Sequence, residues 1–200
     1  KKDGTISFVQ AVNPPVGGLD GVLEWIEEKK KYLRDPAAAR ARGERFPKGI
    51  LVAGLPGSGK SLLAKKVAAE LSLPLIRFHL GMILGGLVGE SEANLDRALK
   101  LAEAVSPCVV WIDEIEKELG GTQGKGETDG GVGNRILARL LNWMQENDRQ
   151  CLLFATANRV QNLPRELTRA GRISKKFYTF LPMHEECVAI LRQIVRREGE

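Results

Sequence analysis

The residues best suited to chemistry in this 200-residue chain lie in one segment, GLPGSGKS, residues 54–61. It follows an apolar stretch typical of a strand and precedes a helical pattern. Its glycines can therefore turn backbone N–H groups toward phosphate oxygens, and the helix N-terminus adds the positive end of its dipole. Lys60 can reach β- and γ-phosphates, and the Ser61 hydroxyl can bind Mg²⁺. The segment predicts a phosphate-binding P-loop formed by Gly54, Leu55, Pro56, Gly57, Ser58, Gly59, Lys60 and Ser61.

An acidic pair, Asp113 and Glu114, ends the apolar segment PCVVWIDE. If this segment is a strand of a parallel sheet, both carboxylates lie at the carboxyl edge, where ligands bind. Asp113 suits Mg²⁺, either through a water or from the second coordination shell. Glu114 is placed to orient and deprotonate a water for in-line attack. Alone such a pair would be a solvated loop feature, but its place about fifty residues after the P-loop favours catalysis.

A polar residue, Asn158, ends the apolar segment CLLFATAN in the same way. Asparagine at the end of a buried strand is most often a turn residue. In a sheet that also carries the P-loop, its amide could instead hold the attacking water or the γ-phosphate. We favour this second interpretation.

The segment ELTRAGRISKKF, residues 166–177, concentrates positive charge without a nearby acid. Arg169 and Arg172 flank a glycine, and no acidic residue follows Glu166 for many positions. A solvated basic loop is the simplest explanation of such a run. The alternative is that the counter-charge of both arginines comes from outside the segment.

The elements that must position these residues alternate along the chain. Strands are predicted at residues 49–54, 73–80, 107–114, 151–158 and 176–182, with amphipathic helices between them. Strands that are apolar on both faces and separated by helices indicate a parallel sheet covered on both sides. The sequence therefore predicts an α/β fold with a five-stranded parallel sheet.

The helices follow from apolar periodicity and capping residues. One helix is expected from an Asp20 N-cap toward Arg34, and another near Ser91 with Leu95, Ala98 and Ala102 buried. A third buries the stripe Ile136, Leu137, Leu140, Leu141 and Met144. The glycine-rich segment 120–133 is expected to be a mobile loop. A helix at the C-terminal end is expected to turn its apolar face inward through Val188, Leu191, Ile194 and Val195.

Bulk composition is that of one globular domain, 43% hydrophobic and 28% charged with a formal net charge of +5. This small excess permits a polyanionic partner without requiring one. The three cysteines, Cys108, Cys151 and Cys187, lack metal-ligand spacing and are expected to be reduced thiols, the first two buried. No apolar stretch approaches the ~18 residues of a membrane helix. The first ten residues lack the apolar core of a signal peptide.

The motifs together resemble a known family. The P-loop, WIDE, ATAN and LTRAGR occur in the order and spacing of AAA+ ATPases, and VGGLDGVLEWI and VGESE strengthen the match. From Val16 onward the chain resembles the AAA family. Its segments PKGILVAG, GGLVGESE, AEAVSPCVVWIDEIEK and NWMQE most resemble an AAA-domain protein of cyanobacteria and algal chloroplast genomes. The resemblance implies a P-loop NTPase subdomain over residues 1–182, followed over residues 183–200 by the first helix of a helical lid.

The resemblance also implies cofactors, partners and further site residues. ATP and Mg²⁺ would bind at the P-loop, and the chain would form a homo-oligomer, with a hexamer as the expected assembly. Arg169 and Arg172 would reach the ATP of the neighbouring subunit. Val16 and Gly17 would line the adenine pocket. Arg77 and His79, on one face of the second predicted strand, are either ordinary strand residues or restrain Glu114.

The implied function is an ATP-hydrolysing ring that remodels a protein client, in a cyanobacterial cytoplasm or a plastid stroma. Threading through a pore is in doubt, because Leu87-Val88-Gly89 stands where threading members carry an aromatic residue. The alternative is a nucleotide-regulated assembly or signalling scaffold, which has no use for Glu114. A nucleic-acid loader is less expected, because the basic runs RQIVRRE and EEKKKYLR contain glutamates typical of solvated helix faces. A small-molecule kinase would leave the two arginines unexplained, and no membrane partner is expected.

Overall fold

The computed structural model describes residues 4–12, 20–85, 90–119, 130–146, 149–169 and 172–198. The strands are β1 Ile6–Val9, β2 Gly49–Gly54, β3 Leu75–Phe78, β4 Cys108–Ile112, β5 Cys151–Ala157 and β6 Lys175–Thr179. The helices are α1 Asp20–Arg34, α2 Pro36–Ala41, α3 Lys60–Leu71, α4 Leu80–Leu84, α5 Glu90–Val105, α6 Ile115–Leu119, α7 Gly130–Glu146 and α8 His184–Glu198. Two short 3-10 helices, Val160–Asn162 and Arg165–Thr168, connect β5 to β6.

The six strands form one sheet in the order β1-β3-β4-β5-β2-β6. Every pair from β3 to β6 is parallel, which confirms the predicted α/β class and the five predicted strands. The sixth strand, β1, was not predicted and pairs antiparallel with β3, from Ile6 opposite Phe78 to Val9 opposite Leu75. This edge strand has only four residues, of which three are partly buried and Phe8 is exposed, and Ser7 interrupts its apolar residues. It therefore lacks the continuous apolar run of the central strands β4 and β5.

Central strands β4 and β5 are buried at every residue, because helices cover both faces of the sheet. One face packs against α1 and α3 through residues such as Ile26, Leu63 and Val67. The opposite face packs against α5 and α7 through residues such as Leu95 and Ile136. This double burial fixes the register of the strands and so the positions of the residues that follow them.

The predicted helices are present, with two differences. Helix α1 begins at Asp20, and the apolar stripes of α5 and α7 are buried as predicted. The last four residues of the glycine-rich segment belong to α7, so the prediction of a loop over 130–133 was wrong; residues 120–129 lie outside the described part. In α8, Leu191 and Val195 are 60% and 70% exposed, so the inward-facing prediction was also wrong. Within the described ranges nothing covers that face of the helix.

Candidate active site

The candidate site lies where neighbouring strands β4, β5 and β2 end at one edge of the sheet. Parallel strands present their carboxyl ends together, so residues distant in sequence meet there. A cavity of about 330 Å³ opens at this edge and combines the P-loop with the predicted acidic pair and asparagine. Its lining residues are Pro56, Gly57, Gly59, Lys60, Ser61, Leu62, Asp113, Glu114 and Asn158.

The P-loop turns sharply between β2 and α3. Gly57 and Gly59 adopt left-handed φ angles of 81° and 80°, which glycine tolerates without strain. The Lys60 ammonium donates to the backbone carbonyls of Gly54 and Leu55 at 2.9 and 2.6 Å. Its burial lowers the pKa of Lys60. The ammonium therefore closes the loop on itself and is held beside the cavity.

Strand β6 supports the P-loop from the other side. The hydroxyls of Ser58 and Thr179 share a hydrogen bond of 2.7 Å. A Cβ atom at Gly54 would lie 2.2 Å from the Thr179 carbonyl oxygen, so only glycine allows the backbones to approach this closely. Thr179 was not predicted as a site residue, and its only sequence signal is a hydroxyl at the end of a strand.

The Asp113 carboxylate contacts three elements. Its Oδ1 accepts hydrogen bonds from Thr156 Oγ1 at 2.6 Å and from Ser61 Oγ at 3.3 Å. Its Oδ2 accepts from Arg77 Nη2 at 3.1 Å. These oxygens fit Mg²⁺, because hydroxyl and carboxylate oxygens suit this ion and a site with few protein ligands leaves room for phosphates and waters. The described residues contain no cluster of three or more His, Cys, Asp or Glu able to hold a metal.

Both carboxylate oxygens of Glu114 are engaged. Oε1 accepts from Asn158 Nδ2 at 2.7 Å, and Oε2 forms an ion pair with Lys117 Nζ at 2.5 Å. The hydrogen bond from Lys117 and then that from Asn158 lower the pKa of Glu114. The backbone is held as well: Glu114 has a left-handed φ of 48°, and its N–H donates to Thr156 Oγ1 at 2.9 Å. The structure thus brings together Glu114 and Asn158, two of the residues that the sequence predicted to be catalytic.

Two buried polar residues that the sequence did not single out support this pair. Thr156 is fully buried and joins Asp113 to the backbone of Glu114 through its hydroxyl. Glu116, 6% exposed, accepts from the backbone N–H of Asn158 at 2.8 Å and so fixes the end of β5. For Thr156 a signal was available, because it is the one hydroxyl residue in an otherwise apolar strand segment.

The two arginines lie away from the cavity lining. Arg169 is exposed at the end of the second 3-10 helix, and Arg172 is half-buried. Arg172 Nη1 donates to the backbone carbonyl of Glu166 at 2.7 Å. Among the described residues, no carboxylate pairs with either guanidinium. The predicted adenine-pocket residues Val16 and Gly17 lie outside the described residues, as does the segment 87–89.

Arg77 and His79 contact partners other than Glu114. Arg77 pairs with Asp113. His79 follows β3 rather than lying in it, and its Nε2 shares a hydrogen bond of 2.9 Å with Ser7 Oγ of β1. Burial, and next the nearby Arg77 charge, lower the pKa of His79. Neither side chain contacts Glu114 in this structure; the side chains that hold its carboxylate are Asn158 and Lys117.

The fold and the edge site together define a P-loop nucleotide-binding domain, and comparison with known sequences gives its family. The family model described as "ATPase family associated with various cellular activities (AAA)" matches residues 50–181. The chain therefore belongs to the AAA family of ATPases, which implies that it binds ATP. None of the described helices is both long enough and apolar enough to cross a membrane.

Curated relatives narrow the position within the family. The chain is 37% identical to the "uncharacterized AAA domain-containing protein ycf46" of Pyropia yezoensis, over 90% of this chain and 36% of that protein. It is 40% identical to the ycf46 protein of Gracilaria tenuistipitata var. liui, over 86% of this chain and 34% of that protein. The peroxisomal ATPase pex6 of Schizosaccharomyces pombe is 33% identical over 98% of this chain and 21% of its own length. The chain thus spans about a third of the ycf46 relatives.

Proposed function

We propose that the sheet-edge cavity binds ATP with Mg²⁺ and hydrolyses it, with Glu114 as general base. The observation that carries this proposal is the contact between Glu114 and Asn158 in the cavity that the P-loop also lines. A carboxylate fixed by two donors is placed to take a proton from a water, which typically accelerates a reaction by roughly 10²- to 10⁴-fold. A scaffold that only binds nucleotide has no need of such a group.

The roles of the other site residues follow from their positions. The backbone of the P-loop and the start of α3 would hold the phosphates. Lys60, already beside the cavity, would exchange its carbonyl partners for phosphate oxygens. Ser61 and Asp113 would hold Mg²⁺, which neutralises phosphate charge when bound. Asn158 would keep Glu114 aimed at the attacking water.

We propose further that the site is completed by a second copy of the chain, in a hexameric ring. The support is that Arg169 is exposed and that neither it nor Arg172 has a carboxylate partner within the described segments. An arginine supplied by a neighbour stabilises charge that develops on the transferred phosphoryl group. The two arginines would do this in trans, while Val16 and Gly17 would line the adenine pocket.

The domain boundaries and biological setting extend the same proposal. Residues 1–182 would form the nucleotide-binding subdomain, and residues 183–200 would begin a helical lid. The exposed apolar face of α8 supports the lid, because such a face needs a cover. By similarity to the ycf46 relatives, the protein would work in a plastid stroma or a cyanobacterial cytoplasm, where it would remodel a protein client.

The test separates binding from hydrolysis. Lys60→Ala should lose most nucleotide binding, measured with a fluorescent ATP analogue, because it removes the buried ammonium beside the phosphates. Glu114→Gln should bind the analogue as wild type does, while ATP turnover falls by roughly 10²- to 10⁴-fold. Lys100→Ala, on an exposed position of α5, is the matched control and should change neither quantity. Full turnover by Glu114→Gln would contradict the assignment of the base.

A further inference from the structure

Arg77 is held beside the proposed metal site by two independent contacts. It lies opposite Trp111 in the β3–β4 register, and its guanidinium carbon is 4.4 Å from the centroid of the Trp111 ring. Its Nη2 donates to Asp113 Oδ2 at 3.1 Å. A planar cation stacked on an aromatic face loses little further freedom when it also binds a carboxylate. The guanidinium is therefore a fixed positive charge rather than a mobile surface group.

The two oxygens of Asp113 depend on different partners. Thr156 holds Oδ1 at 2.6 Å, and Arg77 holds Oδ2 at 3.1 Å. The Ser61 hydroxyl lies 3.3 Å from Oδ1 and 3.5 Å from Oδ2, so it faces the same carboxylate. Because Thr156 is fully buried, the carboxylate would stay anchored without Arg77. What Arg77 adds is positive charge, next to the oxygens that would attract Mg²⁺.

We propose that Arg77 competes with Mg²⁺ for the Asp113 carboxylate and so raises the concentration of Mg²⁺ that nucleotide binding requires. This inference rests on the proposed function. A cation in contact with a carboxylate reduces the attraction of that carboxylate for a second cation. Asp113 and Arg77 are 21% and 36% exposed at their side chains, so the effect is screened only in part. In return, Arg77 keeps Asp113 neutralised whenever Mg²⁺ has left.

The experiment measures the Mg²⁺ requirement by binding rather than by turnover. In a Glu114→Gln background, which prevents hydrolysis, a fluorescent ATP analogue is titrated by anisotropy at a series of Mg²⁺ concentrations and in EDTA. Arg77→Met should lower the Mg²⁺ concentration that gives half of the full affinity by about threefold to tenfold. Arg77→Lys keeps the charge but loses the planar stack on Trp111, so its Mg²⁺ midpoint should lie between those of Arg77→Met and the parent. Arg139→Met, which breaks a surface ion pair with Asp96, is the matched control and should change nothing.

A double-mutant cycle shows whether Arg77 acts through Asp113. Asp113→Asn should weaken the Mg²⁺ dependence, and adding Arg77→Met to it should have no further effect. An Arg77→Met midpoint that is unchanged or higher would overturn the inference, and so would a full effect of Arg77→Met in the Asp113→Asn background. If Arg77→Met does not unfold cooperatively, Arg77→Gln takes its place with the same expected direction. Analogue binding that ignores Mg²⁺ in the parent would overturn the proposed metal site as well, which separates the two failures.

Discussion

The sheet edge and the arginine segment differ in how their charged side chains are paired. At the edge, each of the two predicted site carboxylates has one cationic and one neutral donor from the same chain. Asp113 contacts Arg77 and Thr156, and Glu114 contacts Lys117 and Asn158. In the segment around Arg169, that arginine is exposed and Arg172 is half-buried, and neither guanidinium pairs with a carboxylate of the described residues. The two edge carboxylates thus pair with cations of the same copy, whereas the two arginines pair with no carboxylate of the described residues.

The difference supports the proposal that Arg169 and Arg172 act at a neighbouring copy of the chain. A group that binds substrate within its own chain can hydrogen-bond to nearby residues until substrate replaces them. Lys60, which we propose binds phosphate, does so with the loop carbonyls. A group that acts in another subunit has to remain available on the surface. Exposure without a counter-charge is therefore the structural property expected of residues that act in trans.

The largest effect on ATP turnover should come from Arg169→Ala, which removes one of the two arginines that pair with no described carboxylate. Turnover should fall by about 10³- to 10⁵-fold, the range for an arginine supplied in trans. The free energy of unfolding in urea should change by less than about 0.5 kcal/mol, because an exposed side chain that forms no ion pair with the described residues contributes little to folding. Arg139→Ala is the matched surface control. A stability loss matching the activity loss would show that Arg169 serves its own subunit.

Gly54→Ala should disrupt the sheet edge, because it forces apart the backbones of β2 and β6. The added Cβ would meet the Thr179 carbonyl oxygen at 2.2 Å, so β2 and β6 would have to separate beneath the P-loop. We expect a loss of about 3 kcal/mol or more in unfolding free energy, together with loss of nucleotide binding. Gly21→Ala in α1 meets no atom within 4 Å and should leave stability unchanged or slightly higher. Equal stability of the two variants would refute the close approach.

Thr156→Val should weaken the support of Asp113 and Glu114, with a smaller loss of stability than Gly54→Ala. It removes the hydroxyl that donates to Asp113 and accepts from the Glu114 N–H, which leaves both groups short of a partner. The expected cost is about 1–3 kcal/mol in unfolding free energy, with a fall in turnover. Thr156→Ser keeps the hydroxyl and should retain most of both. The comparison would lose this support if valine were tolerated as well as serine.

The smallest expected effect concerns the two thiols that are buried at the start of β4 and β5, at the opposite end of the strands from the site. Cys108 and Cys151 are buried at the starts of β4 and β5, with their sulfurs 3.8 Å apart. Hydrogen bonding to Cys151, together with burial, raises the pKa of the Cys108 thiol far above its ordinary range. At pH 8 a thiol reagent should therefore label only the partly buried Cys187 in the folded protein, and all three cysteines after unfolding. Rapid labelling of two or three thiols would show that this core opens readily.

Much of the site could be predicted because its chemistry is coded in contiguous motifs. The P-loop, the acidic pair and Asn158 each follow an apolar run, and parallel pairing brings the ends of such runs together. The match to the family model confirms the predicted family, and the observed sheet confirms the predicted α/β class. The roles of individual site residues remain predictions, which the variants above test.

The rest depended on contacts across the sheet that no local pattern specifies. Strand β1 is short and half-exposed, so neither length nor periodicity marked it. The pairing of Arg77 with Asp113 arises from the β3–β4 register, and the support of the P-loop by Thr179 from the β2–β6 register. The face of α8 was wrongly placed inward because periodicity shows that a helix is amphipathic but not what covers it.

Mixing two inactive variants tests the shared site most directly. Lys60→Ala lacks a working P-loop but keeps Arg169, whereas Arg169→Ala keeps the P-loop and lacks the arginine. If the nucleotide is held by one copy and completed by the next, each variant alone should be inactive, and their mixture should regain turnover that rises more than linearly with protein concentration. Turnover that stays absent in the mixture, with wild-type activity strictly linear in concentration, would contradict the account.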